Sequence, residues 1–176
     1  MTTEKVPLDW TCGSVRDIDV TSLVGSADKK SWPASPEITP AHVQAFEKMH
    51  GELKPRDVVL FRTGHLDRYF KAQPNDAGVW LDPLSGKNEG WPALGPDAVV
   101  FLKSRGIRCV ATDAPDLGGV NPKRALMTYW ALGSREMVGV EFLHNTAKIP
   151  QGGYFLFAAL RIRDCHGGPG RAIVLF

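Results

Sequence analysis

Cysteine is scarce: Cys12, Cys109 and Cys165 are the only three in 176 residues, and none forms a Cys-x-x-Cys pair. That excludes a disulfide-stapled secreted scaffold and a thiolate zinc knuckle. Long apolar runs are also missing. No stretch approaches the roughly 18 residues of a membrane span, and Met1-Thr2-Thr3-Glu4-Lys5 lacks a signal-peptide core. Nor does one sign of charge dominate. Lys and Arg number 21 against 19 Asp and Glu, a net charge of +2 with scattered basic residues, so nothing argues for nucleic acid. The tightest basic group, Arg161, Arg163 and Arg171, reads as solvated strand edges. There is no Gly-x-Ser-x-Gly elbow, phosphate loop or dinucleotide fingerprint. The expectation is a cytoplasmic protein that touches neither membrane nor nucleic acid.

What is present suits one globular domain: 43% hydrophobic and 23% charged residues. Ser14 to Val20 alternates as a strand does. Thr39-Pro40 opens a helix, with Thr39 as N-cap and Pro40 where its missing N–H costs nothing. Val43, Phe46, Met49 and Leu53 give that helix an apolar face, and Pro55 ends it. Asp57 to Thr63 reads as a strand, and its apolar run Val58-Val59-Leu60-Phe61 is the pattern of one covered on both faces. A second helix follows Gly95-Pro96-Asp97, with Val99, Val100, Phe101 and Leu102 as candidates for its buried side and Gly106 as C-cap. Ile107 to Ala111 is the next strand, and Cys109 within it reads as a buried, inert thiol. Met137–Leu143, Tyr154–Ile162 and Ala172–Phe176 read as further strands, and Gln73 to Pro96 as a long ordered loop. This alternation of strand and helix is the rhythm of an α/β domain.

Glu141 is the leading candidate for chemistry. A carboxylate inside the strand Val140-Glu141-Phe142 is costly unless paired or bound to a cation; the bland alternative turns it to water. His65 and Asp67 follow a buried strand, where α/β folds gather ligands, although a helix-entry loop explains them equally. Asp113, in Thr112-Asp113-Ala114-Pro115, holds the matching place after the next strand; an Asx-turn would account for it too. His42, His50 and His166 read as surface residues. His144, three residues past Glu141, joins it only if the strand ends in a turn. Trp80, Trp91 and Trp130 are either walls of an aromatic cleft or packing anchors.

Met137-Val138-Gly139-Val140-Glu141-Phe142-Leu143-His144-Asn145, the closing Gly168-Pro169-Gly170-Arg171-Ala172-Ile173, Arg56-Asp57-Val58-Val59-Leu60-Phe61-Arg62-Thr63-Gly64, and Gly106-Ile107 … Ala111-Thr112-Asp113-Ala114-Pro115 carry a resemblance. Together they resemble the cyclase family of metal-dependent hydrolases, to which kynurenine formamidases and isatin hydrolases belong. The resemblance implies an α/β fold, a mixed barrel-like β-sheet with flanking helices of the swivelling β/β/α type, in one domain over residues 1–176. It implies zinc or manganese as cofactor, Glu141 as metal ligand, and Tyr129, His65 and Asp113 as catalytic or rim residues. It also implies an amide or lactam substrate of the N-formylkynurenine or isatin kind, a setting in tryptophan catabolism, and a homodimer or higher oligomer.

Two departures from the family pattern qualify it. The His-x-x-x-His-x-Asp segment through which the family chiefly binds its metals does not occur here; the chain reads as beginning where that segment ends. Counting back from Glu141 to the family's next histidine reaches Tyr129, or Lys123 if the alignment slips; a phenol must lose a proton before it can serve as a comparable ligand, and an ammonium is no better. The expected consequence is impaired metal chemistry. The competing expectation is a non-catalytic homologue acting as an oligomer partner or small-molecule binding module.

Overall fold

The computed structural model describes residues 1–72 and 75–176. In chain order the elements are β1 (Cys12–Asp19), β2 (Glu37–Ile38), α1 (Pro40–His50), β3 (Val58–Arg62), α2 (His65–Tyr69), α3 (Leu81–Leu84), β4 (Ala93–Leu94), α4 (Pro96–Ser104), β5 (Cys109–Thr112), α5 (Pro122–Ser134), β6 (Val138–Val140), β7 (Tyr154–Ala159) and β8 (Gly170–Leu175). Six strands form one sheet in the order β6-β5-β3-β1-β7-β8, and β2 pairs with β4 in a small parallel ribbon. β1, β3, β5 and β6 run parallel, while β7 and β8 are antiparallel additions beside β1.

Val58 to Phe61 are each at most 1% exposed because both faces of β3 are covered. Val59 and Phe61 pack with Val43 and Phe46 of α1, Ala98, Val99 and Leu102 of α4, and Ala131 and Leu132 of α5. Val58 and Leu60 face the other way, toward Val15, Ala111, Val140 and Phe155, with Leu143, Ile149, Phe157 and Val174 against them. Each such side chain removed from water contributes roughly 1.5–3 kcal/mol. Helices thus cover one face, and the β7–β8 hairpin with residues 143–149 closes over the other. The sheet is a mixed, curled half-barrel with flanking helices, the fold class the sequence implied.

Several local expectations change. Met49 is exposed rather than part of the apolar face of α1, while Glu47 of that helix is buried. Glu47 is held by Arg105 Nε (2.9 Å) and Nη2 (3.0 Å) and by the Leu53 amide (3.1 Å). His42 is half-buried: its Nδ1 accepts the Thr39 amide at 3.0 Å, so the residue closes the cap that Thr39 opens. On α4 the buried side is Ala98, Val99 and Leu102; Val100 is exposed and Phe101 only partly covered. Arg105 caps α4, with Gly106 next at φ +80°.

A helix absent from the sequence reading, α5, starts at Asn121, whose side chain accepts the amides of Lys123 and Arg124. The strand expected over Met137–Leu143 is only Val138–Val140, because Phe142 turns to φ +63° and its amide leaves the ladder for Ala114 O. β7 stops at Ala159 and β8 begins at Gly170. The segment expected as a loop from Gln73 to Pro96 contains α3 and β4, and its first two residues, Gln73 and Pro74, lie outside the described residues.

Candidate functional site

Four parallel strands end on the same side of the sheet, and chain reversals there gather polar groups as in other α/β folds. Asp113 follows β5 and is buried. Its Oδ1 accepts the Thr63 amide (2.7 Å) and hydroxyl (2.7 Å); its Oδ2 accepts the Gly64 amide (2.7 Å) and the Thr146 hydroxyl (3.1 Å). The carboxylate therefore ties the end of β3 and the turn at Thr146 to the end of β5.

His65 opens α2 and is buried, in the wall of a cavity that Thr63 and Trp91 also line. Its Nε2 meets Val79 O at 2.7 Å, and its ring lies 4.9 Å from Tyr69 and 5.3 Å from Trp91, centroid to centroid. Burial pushes the imidazole pKa down, only partly offset by Val79 O and the Asp113 charge. Neutral imidazole donating from Nε2 follows. Asp67, in the first turn of α2, pairs with His144 at 3.3 Å on the surface.

Glu141 is the first residue after β6 rather than a mid-strand carboxylate. Its Oε1 accepts the Tyr129 hydroxyl at 2.5 Å and the Leu117 amide at 2.9 Å. Tyr129 comes from α5, the residue 40% exposed and its hydroxyl directed at Glu141. Gly118 makes this approach possible: a Cβ there would stand 2.7 Å from Ala125 Cα and 3.0 Å from Tyr129 Cε2. Asp116 completes the group. Its Oδ1 accepts the Gly119 amide (2.6 Å) and Trp91 Nε1 (3.2 Å). Burial pushes the Asp116, Glu141 and Tyr129 pKa values up, and Asp116 adds to the rise at the other two, so the phenol keeps its proton.

The structure therefore brings Tyr129 and Glu141 together and leaves His65 and Asp113 in a neighbouring group; Trp91 touches His65 and donates to Asp116, whose charge is felt at Tyr129 and Glu141. Trp91 is buried, whereas Trp80 lies on the surface 5.9 Å from Phe142 and Trp130 is exposed. Asp116, Thr63 and Thr146 were not singled out from sequence. The Asp116-Leu117-Gly118-Gly119 string is a recognisable turn signal for Asp116; the two threonines carry none.

A family-type divalent cation needs about three protein ligands. Among the described residues no three His, Cys, Asp or Glu side chains are grouped to hold one. Glu141 Oε1 is already hydrogen-bonded, and Tyr129 is a protonated phenol. This donor set does not fit a catalytic metal.

The Cyclase family model matches residues 1–118. The chain belongs to the Cyclase family. It is 28% identical over 179 residues to the isatin hydrolase of Roseibium aggregatum, covering 95% of this chain and 65% of that protein. Among solved structures, an isatin hydrolase bound to the product analogue thioisatinate superposes with a TM-score of 0.75 at 23% identity, over 99% of this chain and 64% of that one. Isatin hydrolase A from Ralstonia solanacearum gives 0.75 at 21%, over 98% and 63%. A potential metal-dependent hydrolase with cyclase activity gives 0.66 at 20%, over 99% and 70%. The chain spans just under two thirds of the isatin hydrolases it matches. The structural likenesses establish the fold; the family membership rests on the matched sequence.

Proposed function

We propose that this cyclase-family protein acts on the carbonyl of an aromatic amide or lactam, of the isatin or N-formylkynurenine kind, and hydrolyses its C–N bond. The observation that supports this reading is the Tyr129–Glu141 pair, a proton donor and a proton acceptor joined at 2.5 Å beside the Leu117 amide. Glu141 takes a proton from water as the water oxygen bonds to the carbonyl carbon. Tyr129 turns its hydrogen bond to the oxygen that gains charge, and the proton on Glu141 passes to the departing nitrogen as the C–N bond breaks. Asp113 acts at a distance by fixing the backbone at Thr63 and Gly64. Kinship to the isatin hydrolase of Roseibium aggregatum supports the reaction class, and the described residues do not form a donor set that fits a catalytic cation.

A second reading has its own support. With Glu141 already satisfied by Tyr129 and Leu117, the chain serves as a binding module that takes the same compounds without turnover. Incubation of the purified chain with isatin and with N-formylkynurenine, with and without added manganese or zinc, separates the two. Hydrolysis lost in Glu141→Gln and lowered about 10–100-fold in Tyr129→Phe supports the enzyme. Saturable binding of the intact compounds with no product supports the module.

A further inference from the structure

α5 carries an apolar face that nothing covers among the described residues. Leu126 is 71% exposed, Met127 50% and Trp130 71%, while Thr128, Ala131 and Leu132 of the same helix face the core. One such side chain on a surface is ordinary; three side by side on a helix mark a contact surface. Gly133 continues that face about two turns beyond Leu126. A Cβ added there would meet nothing within 4 Å, so the face has an open notch. The charges at the two ends of α5 run against its own dipole. Its first turn has no acidic residue and an exposed Lys123, and its last turn has no basic residue. Arg124 is taken by Glu37, whereas the Lys123 ammonium has no ion-pair partner among the described residues. Just past the other end, Glu136 is exposed and holds only a surface pair with Arg108 at 3.3 Å.

We propose that the chain pairs with a second copy of itself through α5, the two helices lying antiparallel about a two-fold axis. A two-fold contact needs one patch that complements itself, and α5 does so in a single register. With Lys123 opposite Glu136 of the partner subunit, Leu126 falls opposite the partner's Gly133 and Trp130 opposite the partner's Tyr129. Each leucine then fills a notch, and each tryptophan packs beside the axis. Each lysine meets both a carboxylate and the carbonyl end of the facing helix. The partner's Trp130 also covers the open side of Tyr129, so each copy shields the Tyr129–Glu141 pair of the other from water. One helix face per copy makes a small interface, below about 1,200 Å² in total, so a dissociation constant of about 1–100 µM is expected. None of these contacts requires hydrolysis, so the pairing stands or falls apart from the proposed reaction.

Sedimentation equilibrium of the full chain, from about 1 to 200 µM, measures the association. A monomer–dimer equilibrium is expected. Leu126→Lys should weaken it about tenfold or more, by setting a charge on the apolar face. Lys123→Glu and Glu136→Lys should each weaken it about fivefold, since each sets like charges against one another across the axis. The double variant exchanges the two charges and should return to within about twofold of the wild type. Lys123→Glu suits the N-terminus of its own helix, so a weaker dimer there is not a failure of folding. Ile173→Lys, on the edge strand β8, should leave the dimer in place. A monomer at every concentration, a dimer indifferent to Leu126→Lys, single charge variants without effect, a double variant that does not recover, or a dimer lost in Ile173→Lys overturns the proposal.

Discussion

Asp113 and Thr63, fifty residues apart in sequence, are joined twice: one carboxylate oxygen accepts both the amide and the hydroxyl of the threonine, each at 2.7 Å. The other oxygen holds Gly64 and Thr146. One side chain therefore fixes three chain segments at the end of the parallel strands.

Replacing Asp113 by Ala should strand the buried Thr63 amide, the partly buried Gly64 amide and two buried hydroxyls. Hydrogen bonds to a charged group contribute about 1.5–3 kcal/mol each but not additively, so the expected loss is about 3–5 kcal/mol. Urea unfolding followed by far-UV circular dichroism measures it. A loss under 1 kcal/mol would mean that the clamp is dispensable.

His65 predicts an acid-side slope in stability. Its folded pKa lies below its ordinary value because burial disfavours the imidazolium. The unfolded chain therefore binds this proton first, and stability falls as pH drops through the ordinary histidine range toward the folded pKa. Thermal unfolding between pH 7 and 5 should show a part of that slope that vanishes in His65→Gln, even though the variant is itself less stable.

The three cysteines should separate by reactivity. Cys109 is buried in β5 and its thiol is pushed up to about 12 by desolvation, whereas Cys12 and Cys165 are partly exposed. The thiolate is the reactive form. In the native protein at pH 8, a colorimetric disulfide reagent should label Cys12 and Cys165, with Cys109 reacting only in denaturant. Prompt release of three equivalents would contradict this packing.

At Gly118 an added methyl meets helix backbone, not a movable side-chain tip, because Ala125 Cα lies 2.7 Å from the ideal Cβ position. Gly118→Ala should cost about 1–3 kcal/mol by overpacking and push Tyr129 off Glu141. Unfolding curves read the first effect. The second appears in hydrolysis or binding assays as a loss comparable to that of Tyr129→Phe.

The fold was legible where one local signal decided the outcome. Val58 to Phe61 could only be a strand buried on both faces, and Thr39-Pro40 could only begin a helix. Legibility failed where distant partners decided. Met137 to Leu143 has strand composition throughout, yet Phe142 and Leu143 bond to Ala114 and Thr112 and end the strand at Val140. Met49 sits at helical spacing with Val43 and Phe46 yet is exposed, while Glu47 is buried because Arg105, 58 positions later, reaches it. At the candidate site, the count back from Glu141 reaches Tyr129, which donates a hydrogen bond to it. Asp116 is not legible because its role comes from a turn that meets Trp91, 25 residues earlier, only in the folded chain.

The two outer strands of the sheet differ in a way that bears on handling the protein. β6 offers only three residues to a passing chain, Gly139 among them, so it is a poor template. β8 offers six residues with one charge, Arg171, and shows Ile173, Leu175 and the neighbouring Phe176 to water. Such a long and greasy selvedge invites strand-to-strand recruitment between molecules. In concentrated solution, fibrous aggregates should therefore nucleate along β8, and a lysine at Ile173 should keep the protein dispersed.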